Sequence, residues 1–129
     1  MFLAIASQDL NVFGIHMKAH PGDNFQNKTV IIVHGFPSSS FEYSYGAAEG
    51  LQRLGYDVIL HDHVGFGFSD KPFSGFGYSI HDHADVAQRF YESLQSEIRG
   101  RSVFISHDMV SERVCTTARL RVCSTYSLL

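Results

Sequence analysis

Three short runs of mostly apolar and β-branched residues stand out along the chain, at residues 29–33, 57–60 and 102–105, each beginning with one polar residue. Continuous rather than alternating hydrophobicity is typical of parallel strands whose sheet is covered by helices on both faces. We therefore predict three parallel strands. An earlier segment, residues 10–17, alternates between apolar and polar positions, and this pattern predicts an edge strand or one arm of a hairpin.

The first helical pattern lies between the first and second of these strands. It opens at Ser39, three residues before Glu42, which is the spacing of a capping box. Gly55 is placed to end the helix. The apolar stripe of this predicted helix consists of Phe41, Tyr45, Ala48 and Leu51.

The second helical pattern opens at Ser79, with Gly100 beyond its end. Its apolar face consists of Ile80, Ala84, Ala87, Tyr91, Leu94 and Ile98. Strands that alternate with helices at these lengths build a parallel sheet through right-handed crossovers. The predicted fold class is therefore α/β. The third strand would keep one open edge, and exposed edges promote association.

Composition and charge narrow the possibilities. The chain has 129 residues, of which 44% are hydrophobic and 13% aromatic, so it fits one globular domain or part of a larger one. The formal charge is −3 without a basic stripe, and we expect no nucleic-acid partner. No apolar run approaches the length of a transmembrane segment, and the apolar start at residues 1–6 is too short for a secretory signal. Two cysteines do not make a disulfide framework.

A His-Gly-Phe-Pro loop, residues 34–37, directly follows the first predicted strand. Gly35 allows a sharp turn, and Pro37 restricts the residue before it. Such a loop can direct the backbone N–H of Phe36 at a developing negative charge, as an oxyanion hole requires. The motif alone leaves the alternative open that this is a strand-to-helix turn without a catalytic role.

Glycines and histidines follow the second predicted strand. The two glycines of residues 65–67 resemble a phosphate cradle, but the third glycine of a dinucleotide-binding motif is absent. His61 and His63 share one face of a strand, which is a spacing that metal ligands use. His81 and His83 fall on a predicted helix, where residues two apart do not face each other.

The third predicted strand ends in a Ser-His-Asp-Met-Val turn, residues 106–110. Together with the loop at residues 34–37 and the Asp-x-x-Gly-x-Gly-x-Ser segment at residues 62–69, this turn resembles the α/β-hydrolase family, in its epoxide hydrolase-like branch. The resemblance implies that residues 1–110 are the N-terminal part of an α/β-hydrolase domain, which is incomplete, and that residues 111–129 are a divergent tail. It also implies that Asp62 is scaffolding at a strand end, and we expect neither a metal nor a cofactor.

The resemblance assigns roles to five residues. It implies that Asp108 occupies the nucleophile position and that Phe36 and Met109 supply oxyanion-type backbone N–H groups, with His34 and Gly35 in the same loop. A carboxylate that attacks an electrophilic carbon forms an ester, which a His-activated water then hydrolyses. This chemistry suits epoxides. Family members act on small-molecule substrates, and the resemblance implies a cytoplasmic or endoplasmic-reticulum-associated location.

The sequence departs from the family pattern at and after this turn. Val110 stands where the family has glycine, and Met109 stands where haloalkane dehalogenases have a tryptophan. After Asp108 the sequence contains no His and no Asp, and Glu112 is its only acidic residue, so the family order of nucleophile, acid and His is not completed. We expect a hydrolase that is truncated and inactive as this chain. The alternative is a non-catalytic fragment or interaction module derived from a hydrolase.

Overall fold

Strands of the described residues form one sheet in the order β1-β2-β4-β3-β5-β6. The structure is a computed structural model, and it describes residues 2–5, 10–19, 22, 24–107 and 126–127. The strands are β1 (Phe2–Ile5), β2 (Leu10–Met17), β3 (Lys28–Val33), β4 (Asp57–His61), β5 (Arg101–Ser106) and β6 (Tyr126–Ser127). Strand β2 is antiparallel to both β1 and β4, whereas β4, β3, β5 and β6 run parallel.

The three apolar runs form the centre of this sheet as β3, β4 and β5, which confirms the predicted parallel strands. Alternate residues of these strands belong to two separate cores. One core contains Ile31, Val33, Ile59 and Phe104. The opposite core contains Val30, Ile32, Val58 and Leu60. Helices therefore cover both faces of the sheet, and the α/β fold class is confirmed. Strand β2 pairs with β1 as the predicted hairpin arm.

Helix α3 (Ile80–Ser93) covers the first core and begins where the sequence predicts. The Ser79 hydroxyl accepts a hydrogen bond from the Asp82 backbone N–H, and the Asp82 carboxylate accepts one from the Ser79 N–H at 3.0 Å. The predicted apolar face is buried at Ala84, Ala87, Tyr91 and Leu94. In the part of the chain that the structure describes, no helix combines the length and apolar content needed to cross a membrane.

The first helix, α1 (Ser40–Tyr43), is capped from outside its own sequence. Ser39 makes no side-chain bond to the helix, and the Glu42 carboxylate accepts a hydrogen bond from the Ser38 hydroxyl instead. The Ser40 N–H donates to Oδ1 of Asp62 at 2.6 Å. The predicted capping box is therefore wrong, because a carboxylate from the loop after β4 takes the place of the serine.

A break follows α1 and redirects its apolar stripe. A π-type turn (Ser44–Ala48) leads into α2 (Glu49–Arg53), and Tyr45 and Gly46 in this turn have non-helical backbone angles. Gly46 has a φ of +83°, which favours glycine. Phe41 is 59% and Tyr45 65% exposed, whereas Ala48 is fully buried. The predicted stripe is thus wrong for both aromatic residues, because the break prevents residues 41–51 from forming one continuous helical face.

We expect Phe41→Ser to change the free energy of unfolding by only about 0.5 kcal/mol, because the ring is mostly exposed. Ala48→Leu should cost about 2 kcal/mol, because it adds volume to a closed core. Urea denaturation of both variants measures the difference. A larger loss for Phe41→Ser than for Ala48→Leu would support the uninterrupted helix that the sequence pattern indicates.

The outer edge of β5 is partly covered. Strand β6 pairs in parallel with it, with Ile105 opposite Tyr126 and Ser106 opposite Ser127. The prediction of an open edge is therefore wrong at the carboxyl end of β5. This end is where the predicted site residues leave the sheet.

Candidate active site

The three sequence motifs start side by side at one edge of the sheet. In the parallel registers, Val33 of β3 lies opposite His61 of β4 and Ser106 of β5. The loop at residues 34–37 and the segment at residues 62–69 therefore leave the sheet next to the end of β5. In open α/β sheets, ligands bind at the carboxyl ends of the strands. The sheet topology therefore places the three predicted motifs at the edge where a ligand-binding site is expected.

The turn that is predicted to carry the nucleophile is described only up to its second residue, His107. The His107 N–H donates to the carbonyl of Val33 at 3.2 Å, which holds the start of this turn against the end of β3. Asp108 and Met109 lie outside the described residues, as does Val110. Their convergence with Phe36 therefore stays a prediction.

His34 and His63 join two of these loops by reciprocal hydrogen bonds. The His63 backbone N–H donates to Nε2 of His34 at 3.0 Å, and the His63 Nε2 atom lies 3.1 Å from the carbonyl oxygen of His34. His34 Nδ1 lies 2.8 Å from the carbonyl oxygen of Gly35. Because Nε2 of His34 accepts, its ring proton is on Nδ1 and donates to Gly35, and His63 donates through Nε2–H. His34 is therefore neutral in this arrangement.

Two further histidine rings extend this pair into a buried histidine cluster, which consists of His34, His61, His63 and His83. The ring centroid of His63 lies 4.4 Å from that of His34, 4.8 Å from that of His61 and 5.3 Å from that of His83. Burial lowers the pKa of all four, for His61 to about 3 and for His63 well below its ordinary value. Neighbouring histidine charges lower the pKa of His61 and His63 further. The cluster is therefore neutral near pH 7.

Asp62 organises the loop after β4. Its side chain is buried, with Oδ1 accepting from the Ser40 N–H at 2.6 Å and Oδ2 from the Phe68 N–H at 2.8 Å. Its carbonyl oxygen accepts from the Ser69 hydroxyl at 2.6 Å. Gly67 has a φ of +49°, and a Cβ there would collide with the Asp62 carboxylate. The glycine pattern that resembles a phosphate cradle thus makes room for a carboxylate of this chain.

His61 and His63 each hydrogen-bond to a protein group through one ring nitrogen. His61 Nδ1 lies 2.8 Å from the Tyr91 hydroxyl, and His63 Nε2 bonds to the carbonyl of His34. Within the described residues, no three His, Cys, Asp or Glu side chains come together as metal ligands would. On α3, His83 is buried and His81 is exposed, so these two do not face each other.

Aromatic side chains form the rim of the site. Phe36 is 72% exposed and contacts Phe66 edge to face at 5.6 Å between ring centroids. The Phe66 ring also contacts His34 at 5.8 Å. The loop that is predicted to carry an oxyanion donor therefore presents an apolar surface to solvent.

Sequence reasoning missed the pairing of His34 with His63 and the role of Asp62 as an acceptor for α1. The available signal was the high histidine content, eight in 129 residues, with two of them flanking Asp62. The sequence offered no indication that a histidine 29 positions earlier faces His63.

Comparisons with known proteins agree with this geometry. The profile of the alpha/beta hydrolase fold family matches residues 28–109. The mesoderm-specific transcript homolog protein of Bos taurus is 40% identical over 79 residues, which are 61% of this chain and 23% of that protein. The cis-3-alkyl-4-alkyloxetan-2-one decarboxylase of Shewanella oneidensis is 33% identical over 92 residues, which are 70% of this chain and 28% of that protein. The chain thus spans less than a third of these relatives.

Solved structures share the fold at low sequence identity. A probable hydrolytic enzyme from Pseudomonas aeruginosa has a TM-score of 0.78 at 22% identity, covering 97% of this chain and 40% of that chain. An epoxide hydrolase from Vigna radiata has a TM-score of 0.74 at 18% identity, covering 97% and 38%. Since the family profile also spans the sheet and the loops at its carboxyl edge, the chain belongs to the α/β hydrolase fold family.

Proposed function

We propose that this chain forms the nucleophile half of an epoxide hydrolase-like active site that acts on small molecules. Asp108 is the nucleophile, and the backbone N–H groups of Phe36 and Met109 are the oxyanion donors. The in-register parallel pairing of β3 and β5 carries this proposal, because it starts the two loops at the same edge of the sheet.

The proposed reaction begins with a carboxylate oxygen of Asp108. It attacks an epoxide carbon, the carbon–oxygen bond of the ring breaks, and the resulting alkoxide takes a proton from water. Hydrolysis of the ester then requires a water molecule activated by His. The N–H groups of Phe36 and Met109 stabilise the charge on the ester oxygen in that step. No His follows Asp108 in these 129 residues, so the proposed reaction stops at the ester intermediate.

We therefore expect the 129-residue chain by itself to hydrolyse neither styrene oxide nor p-nitrophenyl acetate above background. The physical reason is the absence of the acid and His that turn over the intermediate, since loss of a triad member leaves only residual catalysis. Turnover that disappears in Asp108→Asn would show that the chain is a complete enzyme.

The same sample tests the nucleophile by trapping the ester. Intact mass after incubation with styrene oxide should show slow addition of one epoxide, and peptide mapping should place it on Asp108. Asp108→Asn should lose the adduct. Asp85→Asn, which changes an exposed carboxylate of α3, should keep it. Labelling spread evenly over exposed carboxylates, or no labelling, would contradict the nucleophile assignment and favour a non-catalytic module.

A further inference from the structure

We propose that His63 is a positioning residue for the loop at residues 34–37 and that its reciprocal hydrogen bonds with His34 form an acid-sensitive latch. We call these two residues the histidine latch. The latch is closed when His34 is neutral and opens when His34 is protonated. It rests on the proposed function in one respect only, the role of Phe36 in this loop as an oxyanion donor.

The geometry makes the latch depend on one ring nitrogen. Nε2 of His34 accepts from the backbone N–H of His63, while Nε2–H of His63 donates to the carbonyl of His34. His34 is 1% exposed, so water cannot replace a lost partner without movement of the ring. Both bonds join the end of β3 to the end of β4, and His34 is two residues before Phe36.

Protonation reverses the role of that nitrogen. A charged His34 ring carries protons on both nitrogens and donates through both. Its Nε2–H then faces the N–H of His63, and two donors cannot bond. The ring has to turn or leave its site, and the backbone of residues 34–36 moves with it. Protonation of His63 has a different effect, because its donating Nε2–H is kept.

The surroundings decide which histidine is charged first. The carboxylates of Asp62 and Glu42 face His34 and favour its charged form. Among the described residues, the charged side chains that act on His63 are the histidines His61, His34 and His83, which oppose its charge. Asp82 offsets part of the effect of burial at His83. Burial lowers the pKa of His34, but that of His63 falls well below its ordinary value, so His34 is protonated first as the pH falls.

Nuclear magnetic resonance of the full chain tests the latch without any activity. Long-range ¹H–¹⁵N correlation reports which ring nitrogens are protonated. At pH 7.5 we expect His34 to carry its proton on Nδ1 only. On acidification, the gain of the Nε2 proton should share one midpoint with shifts of the Gly35, Phe36 and His63 amides. The proposal would be overturned if His34 were protonated on Nε2 at pH 7.5. It would also be overturned if the chemical shifts of the three amides did not change as His34 titrates.

Two variants separate the donor from the ring. His63→Gln keeps an N–H donor without a titrating group, whereas His63→Phe keeps an aromatic ring without a donor. Hydrogen exchange of the residue 63 amide at pH 7.5 should be about fivefold faster in His63→Phe, as expected for loss of one hydrogen bond. It should be close to that of the original protein in His63→Gln. The Ala87 amide in α3 is the control and should exchange alike in all three.

Equal exchange of the residue 63 amide in both variants would contradict the positioning role of the side chain. If His63→Phe does not fold, the latch is still tested by the pH titration of the unaltered chain and by amide exchange in the His63→Gln variant. The outcome is also separate from the proposed function. A latch that titrates as described with no label on Asp108 would reject the hydrolase proposal alone, whereas labelling without a titrating latch would reject this inference alone.

Discussion

Replacing Asp62 with Ala is expected to lower the free energy of unfolding by about 4 kcal/mol, as two buried charge-assisted hydrogen bonds are lost. The carboxylate accepts from the N–H groups of Ser40 and Phe68. Without it, α1 loses its only observed N-terminal side-chain acceptor among the described residues, and the loop after β4 loses its anchor. Urea denaturation measures the change.

Asp70 provides a matched control. It also accepts two hydrogen bonds, from the backbone and side chain of Asn11, but these bonds are exposed to solvent. We expect Asp70→Ala to cost about 1 kcal/mol, because water replaces the lost partner. Asp62→Asn should fall between the two alanine variants, because the amide keeps one acceptor and turns an NH₂ towards the other N–H. Equal losses of unfolding free energy for Asp62→Ala and Asp70→Ala would contradict the expectation that burial makes the hydrogen bonds of Asp62 more costly to lose.

Lowering the pH from 7.5 to 5.0 is expected to destabilise the fold by about 2 kcal/mol through His61 alone. The folded state keeps this ring neutral because burial lowers its pKa to about 3. The unfolded chain takes up a proton near pH 6.5. The unfolded state therefore binds more protons below that pH, and stability falls progressively between pH 6.5 and 3. His63 acts in the same direction.

Urea denaturation at both pH values, with His61→Phe beside the original chain, tests this expectation. The variant should lose about 2 kcal/mol less on acidification. The variant also lacks the hydrogen bond to Tyr91. The free-energy cost of that loss is the same at both pH values and therefore cancels in the difference between them. A pH dependence that is the same in His61→Phe would show that this ring is not kept neutral by the fold.

The sequence was sufficient for the central strands and for α3. Residues 30–33, 58–60 and 103–105 are apolar without interruption, and such runs are typical of strands that are covered on both faces of a sheet. Helix α3 repeats apolar residues at helical spacing and begins at Ser79, whose hydrogen bond to Asp82 lies within the same turn. In each case the interactions that determine the element lie within the segment itself. The order of the motifs was likewise enough to indicate the family.

The first helix and the site depended on partners distant in sequence. Ser39 and Glu42 have the spacing of a capping box, but Asp62 lies 22 positions after Ser40 and provides the observed acceptor. A local pattern carries no information about such a competitor. The same holds for His34 and His63, which are 29 residues apart and meet only because β3 and β4 pair in parallel. The sequence alone determined that the central strands and α3 are buried, because their burial follows the hydrophobic pattern within each segment. Only the tertiary structure decided which polar groups face each other, because that pairing follows the register of strands distant in sequence.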